Sequence, residues 1–173
     1  VLTRRRRILQ RLEALGSSSL RTQRIRIHGD YHLGQVLRVK TDFVILDFEG
    51  EPARSLAYRR SKQSPLKDVA GMVRSFSYAA YASLIAYIAR HPGDFETLLP
   101  WAQLWERSVS AGFVRAYRQT LGNVDFAPAS KEEFRVLLDT FLLEKVLYEV
   151  HYELDSRPSW LRIPLMGILS MSL

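Results

Sequence analysis

Residues 25–39 read IRIHGDYHLGQVLRV and residues 43–52 read FVILDFEGEP, two apolar runs with His28, Asp30, Gln35, Asp47 and Glu49 at their ends. Basic and apolar side chains alternate over residues 24–28, as in a short strand. Residues 36–39 and 43–47, parted by Lys-Thr-Asp, suit a small hairpin. The ionisable groups therefore stand at the mouths of strands, where a backbone turn can aim them together.

On either side the pattern is helical. Residues 64–93 start with a cap-like Ser64 and a proline at the first helical position and stop at His91-Pro92-Gly93. Two more helices are expected, one from Trp101 to the Leu-Gly-Asn at 121–123 and one over 130–154, where Ser130 and Glu133 have capping-box spacing. Ahead of the hairpin, Leu9, Leu12 and Leu15 among arginines predict a helix ending near Gly16, followed by a serine-rich loop. Nothing repeats and no linker divides the chain, so residues 1–173 read as a single domain, mainly α with a small β hairpin (α+β).

At 173 residues and 47% hydrophobic, the chain can bury one core. It has no cysteine, which excludes disulfides and thiolate metal sites and makes a reducing, cytoplasmic setting the expected one. The net charge of +7 comes entirely from residues 1–27, where eight arginines face one glutamate; the rest carries 17 basic and 17 acidic groups. Residues 4–7, all arginine, read as the polar face of a helix, and no aromatic side chains interleave them as a nucleic-acid surface would require. The longest apolar run, residues 76–89, falls short of the roughly 20 residues that cross a bilayer. Neither nucleic acid nor a membrane is an expected partner. The N-terminus lacks the apolar core and cleavage site of a signal peptide and opens on a helical pattern without an initiator methionine, as a fragment would.

Asp30 directly follows a strand, Gly29 and Gly34 allow a tight loop, and Gln35 comes five residues on. A carboxylate so placed can accept the proton of an attacking hydroxyl, and an amide oxygen can join the shell of a hard cation. With Asp47 at the end of the next strand, Gln35 makes a magnesium site suited to phosphoryl transfer. Singly, each residue has an ordinary reading: Asp30 as a loop cap, His28 as a donor to a backbone carbonyl, Gln35 as an exposed strand residue. Jointly, strand, acid, glutamine, hairpin and acid repeat the order of a kinase catalytic loop and metal loop. Gln35 stands where protein kinases carry asparagine, and Asp-Phe-Glu where they carry Asp-Phe-Gly. His28, His32 and Asp68, the last on the first long helix, are candidates to support this loop.

Lys145, Tyr148, Glu149 and Tyr152 fall at i, i+3, i+4 and i+7 on one helical face, extended by Arg157 and Trp160. Sugars require flat apolar surfaces for their C–H faces and charged or amide groups for their hydroxyls, and this face offers both. The pattern equally describes a half-buried helix whose tyrosines pack on the core. Phe76, Tyr78, Tyr81 and Tyr87 are expected in the core, as are Trp101, Trp105 and His91. Arg59, Arg60 and Lys62 are expected to be solvated or locally paired.

The segments HGDYHLGQ (28–35), ILDFEGEPARSLAYRRSKQSPLKDVAGMVRSFSYAA (45–80) and EKVLYEVHYELDSRPSWLRIPLMGI (144–168) closely resemble bacterial maltokinases, including the kinase region fused to trehalose synthase. These belong to the aminoglycoside-phosphotransferase-like kinases. The resemblance implies the C-terminal lobe of a protein-kinase-like fold, ATP as phosphoryl donor, Mg2+ as cofactor, and maltose or a similar disaccharide as acceptor, phosphorylated at its anomeric hydroxyl to maltose 1-phosphate. By motif, Asp30 becomes the base, Gln35 and Asp47 the metal ligands and Glu49 a ligand of metal or sugar. Lys145, Tyr148, Glu149, Tyr152 and Arg157 become the acceptor site. Ahead of His28 there is neither a glycine-rich phosphate loop nor a strand-borne lysine. The N-terminal, ATP-clamping lobe is therefore expected to be absent from this chain, turnover by the chain alone to be small, and an apolar patch to be exposed where that lobe docks. The same resemblance allows a fused trehalose synthase domain as partner. Two other readings remain open: a related small-molecule kinase with another acceptor, such as an aminoglycoside or a choline-like alcohol, and a noncatalytic regulatory module attached to a trehalose synthase.

Overall fold

The computed structural model describes residues 3, 5–16, 22–122, 124–128 and 130–171; Arg4 and the serine-rich loop expected after Gly16 lie outside the described residues. In chain order the elements are α1 (Arg5–Gly16), β1 (Val36–Val39), β2 (Asp42–Ile45), α2 (Leu56–Arg60), α3 (Leu66–Ile88), α4 (Phe95–Leu121), α5 (Lys131–Ser156) and α6 (Arg162–Ser170). The class is the expected one, mainly helical with a two-stranded sheet.

α3 is the central helix. Ser64 Oγ accepts the N–H of Leu66 at 3.4 Å and so satisfies one of the donors left free at a helix start. Its buried face, Leu66, Val69 and Ala70, packs on Phe134 and Leu138 of α5 and on Phe113, Val114 and Tyr117 of α4. Further along, Tyr81 and Leu84 meet Ile163 of α6. α5 opens on Ser130, whose Oγ accepts the N–H of Glu133 at 3.0 Å, and carries the core on through Leu143 and Val146 to Ile168 and to Ile8 of α1. Leu66, Leu143 and Ile163 have no exposed surface, and each such side chain contributes about 1.5–3 kcal/mol by leaving water.

β1 and β2 pair antiparallel, with Val39 opposite Asp42 and Val36 opposite Ile45. Their two-residue connection begins at Lys40 with φ 57°. The hairpin stands away from the helices and leaves Leu37, Val39, Phe43 and Val44 exposed, an apolar patch of the kind expected. Pairing extends one step beyond β2, where the Leu46 N–H reaches the Gln35 carbonyl at 2.9 Å. The chain then turns at Asp47, φ 59°, so β2 ends two residues earlier than its apolar run.

Three expectations are revised. The strand over residues 24–28 is a single bridge, Ile25 and Gln63 exchanging N–H···O bonds of 2.9 Å; its partner lies just ahead of α3, beyond the reach of local alternation. α2 and α6, 5 and 9 residues long, are too short to register as periodic patterns. Trp101 and Trp105 are 67% and 46% exposed, and Tyr87 and His91 also face water. α4 turns Leu98, Leu99, Ala102, Phe113 and Tyr117 toward the core, which leaves 101 and 105 on the flank of that face, open to water. Phe76 and Tyr81 are buried as expected. Among the described residues no helix is long and apolar enough to cross a membrane.

Candidate functional site

The loop of residues 28–35 is held from behind by α3. Asp68, in the first turn of that helix, accepts the backbone N–H of His28 at 2.7 Å and of Gly29 at 2.9 Å. Burial raises the Asp68 carboxyl, with the Asp30 charge adding to it, while the two N–H donors pull it back. Gly71 of α3 lies directly under the loop: a β-carbon there would stand 2.6 Å from the Tyr31 carbonyl oxygen, so only glycine lets the loop lie this close.

His28 is buried, and its ring ties the loop to the second strand. Nε2 lies 2.7 Å from the Leu46 carbonyl, and Nδ1 accepts the Asp30 N–H at 3.3 Å, which together place the ring proton on Nε2. The rings of Phe48 and Tyr31 flank it at 4.9 and 5.6 Å. The ordinary reading of His28, a donor to a backbone carbonyl, is the geometry found. His32 accepts the Gly34 N–H on Nδ1 at 3.0 Å and brings Nε2 to 3.6 Å from Asp30 Oδ2.

Asp30 itself is half-buried at the mouth of the loop. Burial works to raise its carboxyl, but His32, the Lys145 charge and His28 outweigh it and hold the group below the ordinary carboxylate range. Across the hairpin, Gln35 Nε2 donates to Asp47 Oδ2 at 2.9 Å. The hairpin register makes this pair, because Gln35 immediately precedes β1 and Asp47 follows the last pairing of β2. Among the described residues no three His, Cys, Asp or Glu side chains gather as a metal cluster. With the Gln35 amide turned over, it and Asp47 would offer two hard oxygen donors, the number expected where phosphate and water complete the shell of a magnesium ion.

A cleft of about 450 Å³ opens beside Asp30 and is bordered by Lys145, Tyr148 and Tyr152 of α5 and Tyr78 of α3. The rings of Tyr148 and Tyr152 lie 6.4 Å apart and 23° from parallel. Burial and the neighbouring Glu51 push the Tyr148 hydroxyl up to about 12. Glu149 and Arg157 border the cleft too, but their charges are already engaged. Glu149, 6% exposed, holds Arg74 Nε at 2.9 Å and a terminal nitrogen at 2.7 Å; burial raises its carboxyl against the pull of Arg74. Arg157 forms a fork on Glu153 at 3.0 and 2.7 Å and lies 4.6 Å over the Trp160 ring.

Three cleft residues escape the sequence reading. Glu153, 1% exposed, takes the Arg157 fork and the Tyr78 hydroxyl, the latter at 2.9 Å. Its i+4 spacing to both Glu149 and Arg157 is the signal that points to it. Tyr78 packs against the core at Tyr81, Leu84 and Ile163, as expected, and also borders the cleft from α3, where its hydroxyl is raised by burial and by Glu149 and Glu153. Glu51 borders the cleft where Glu49 does not: Glu49 is exposed and offers only its carbonyl to Arg59, at 3.4 Å. Arg60 and Lys62 are solvent-exposed, as expected.

No protein-family model matches the chain. It is 25% identical over 160 residues, 92% of its length, to the glucosamine kinase of Streptacidiphilus jiangxiensis, and 30% identical over 141 residues, 79% of its length, to the glucosamine kinase of Mycolicibacterium smegmatis. It spans about a third of the length of these curated relatives, 33% and 32%. A solved glucosamine kinase in complex with glucosamine, ADP and inorganic phosphate superposes with a TM-score of 0.79 at 24% identity, covering 98% of this chain and 40% of that one. Crystal form B of glucosamine kinase gives 0.79 at 25%, covering 99% and 39%. The fold is that of part of an aminoglycoside-phosphotransferase-like kinase, and the relatives are sugar phosphotransferases. The comparisons support the kinase superfamily and do not single out maltokinases.

Proposed function

We propose that this chain carries the catalytic loop and acceptor cleft of a kinase that moves the terminal phosphoryl group of ATP to a sugar hydroxyl. The observation that carries it is the junction at Asp30, a half-buried, ionised carboxylate at the mouth of an aromatic-walled cleft with the hydrogen-bonded Gln35–Asp47 pair on the same loop system. Asp30 accepts and orients the acceptor hydroxyl. The hydroxyl oxygen bonds to phosphorus, the bond to the ADP oxygen breaks, and the hydroxyl proton passes to Asp30. A carboxyl held below its ordinary range is a weak base, which suits an orienting acceptor that receives the proton late, as in a loose phosphoryl-transfer transition state. Gln35 and Asp47 would hold magnesium, which neutralises phosphate charge. His28 and Asp68 fix the backbone that aims Asp30.

ADP in the related complex supports ATP as donor, and the names of the relatives favour an amino sugar such as glucosamine as acceptor. Maltose is the second reading, favoured by the segments that resemble maltokinases; a fused trehalose synthase partner goes with it. The volume of the cleft is in the range of small-molecule sites and suits a sugar. The nucleotide clamp then comes from residues outside 1–173, and the chain alone turns over slowly, because phosphoryl transfer depends on positioning. An ADP-release assay on the longest reading frame containing this chain, with glucosamine, maltose, glucose and kanamycin, decides the acceptor. Asp30→Asn is expected to lower the rate about 10²–10⁴-fold; a rate unchanged by that substitution defeats the reading.

A further inference from the structure

We propose that Glu51 is the second acceptor-binding carboxylate of the cleft, set beside Asp30 by the crossing of two glycine backbones. This rests on the sugar-kinase reading above. Gly29 and Gly50 both lie in the left-handed region, φ 84° and 80°, and a β-carbon on Gly29 would stand 3.3 Å from the Gly50 Cα. Both glycines hold a backbone conformation that other residues adopt only under strain, and a side chain on Gly29 would press on the other loop. The residue after each glycine is an acid, Asp30 after Gly29 and Glu51 after Gly50. The crossing therefore delivers both carboxylates to one cleft, which both border.

The preceding glutamate is turned the other way. The Arg59 side chain lies 3.4–3.5 Å from where a Gly50 β-carbon would be, and its guanidinium holds the Glu49 carbonyl. Downstream, Arg54 sits between the rings of Tyr58 and Tyr148, 5.2 and 5.1 Å from their centres, and anchors the segment to α5. The path from residue 49 to residue 54 is thus pinned at both ends, with Glu51 facing inward.

Glu51 keeps capacity for a ligand that the other wall acids lack. Its partners are the Tyr148 hydroxyl and Lys145 Nζ, the latter at 3.9 Å, close enough to attract and too far for a direct hydrogen bond. An ionised carboxylate has about four lone-pair sites, so acceptor positions stay open. Glu149 and Glu153 are buried and engaged by Arg74, Arg157 and Tyr78. Glu51 consequently binds a hydroxyl or amino group of the sugar whose reacting hydroxyl Asp30 holds, with the Lys145 charge beside both acids.

The test is a calorimetric titration of the chain with glucosamine and with maltose, run on wild type, Glu51→Gln, Glu49→Gln and Gly50→Ala, with thermal melts to confirm folding. Glu51→Gln is expected to weaken the sugar that binds by about tenfold or more, the loss typical of a hydrogen bond to a charged group. Gly50→Ala shifts affinity the same way by misplacing Glu51, and Glu49→Gln stays within about twofold. Wild-type affinity in Glu51→Gln, or an equal loss in Glu49→Gln, overturns the assignment of Glu51 alone. Failure of wild type to bind either sugar defeats the acceptor reading itself, and this assignment with it; the wild-type arm separates the two.

Discussion

The acids around the cleft fall into two groups that look alike in the sequence and differ in the structure. Glu149 and Glu153, on the inner wall of α5, are buried and paired with Arg74, Arg157 and Tyr78. Asp30 and Glu51, on the loops at its mouth, and Asp47, beside Gln35 at the end of the hairpin, are exposed or half-buried and have few partners. The difference teaches that burial against a cation makes a carboxylate a structural part of a wall, whereas partial exposure with open lone pairs leaves it free for chemistry.

The largest way to break this contrast is to unpair the wall. Arg74→Met leaves Glu149 charged, buried and uncompensated, and is expected to lower unfolding stability by about 3–5 kcal/mol, read from the urea midpoint. Adding Glu149→Leu should recover most of that loss. A single variant as stable as wild type would show that the wall acids are not structural.

A smaller effect sharpens the description of the mouth. Lys145→Met removes a positive charge near Asp30 while His28 and His32 remain, so the Asp30 carboxyl should titrate higher, back toward its ordinary range. Because the folded state lowers this carboxyl, its contribution to stability is present above the unfolded pKa and is lost as pH falls through the folded one. Lys145→Met should therefore be less stable than wild type near neutrality and converge with it in acid, with Asp30 followed by carboxyl-carbon NMR. A titration midpoint that stays put or falls would remove Lys145 from the account.

The smallest effect belongs to the outer face of α4. Trp101→Gln, at a residue 67% exposed, should change stability by no more than about 0.5 kcal/mol. A loss of several kcal/mol on thermal or urea unfolding would mean that this tryptophan packs far more than its exposure indicates.

How much of this was legible depends on how far apart in the chain the interacting groups lie. The hairpin, α3 and α5 follow from periodicity and from caps whose hydrogen bonds span two or three residues, as Ser64 to Leu66 and Ser130 to Glu133 do. The meeting of Gln35 and Asp47 was also open to prediction, since a short hairpin brings its two ends together whatever the rest of the molecule does. The Asp68 clamp on the loop was suggested by placement, though its two N–H bonds span about forty residues and needed the structure to be seen.

That Glu51 borders the cleft and Glu49 does not was not legible, because it turns on the sign of φ at Gly50 and on a close approach to Gly29 that no local pattern records. The same holds for Tyr78, which packs on the core as its alanine-rich stretch suggests and also sends its hydroxyl to Glu153 of α5, a partner 75 residues away. Trp101 and Trp105 were misjudged because an apolar side chain declares its preference for burial, not the existence of a neighbour to bury it. By itself the sequence determined the elements, their caps and the order of acids along the loop, since those rest on short-range hydrogen bonds and spacing. The tertiary structure alone decided which acids are paired and which stay open, because pairing depends on side chains from helices and loops that only packing brings within 3 Å.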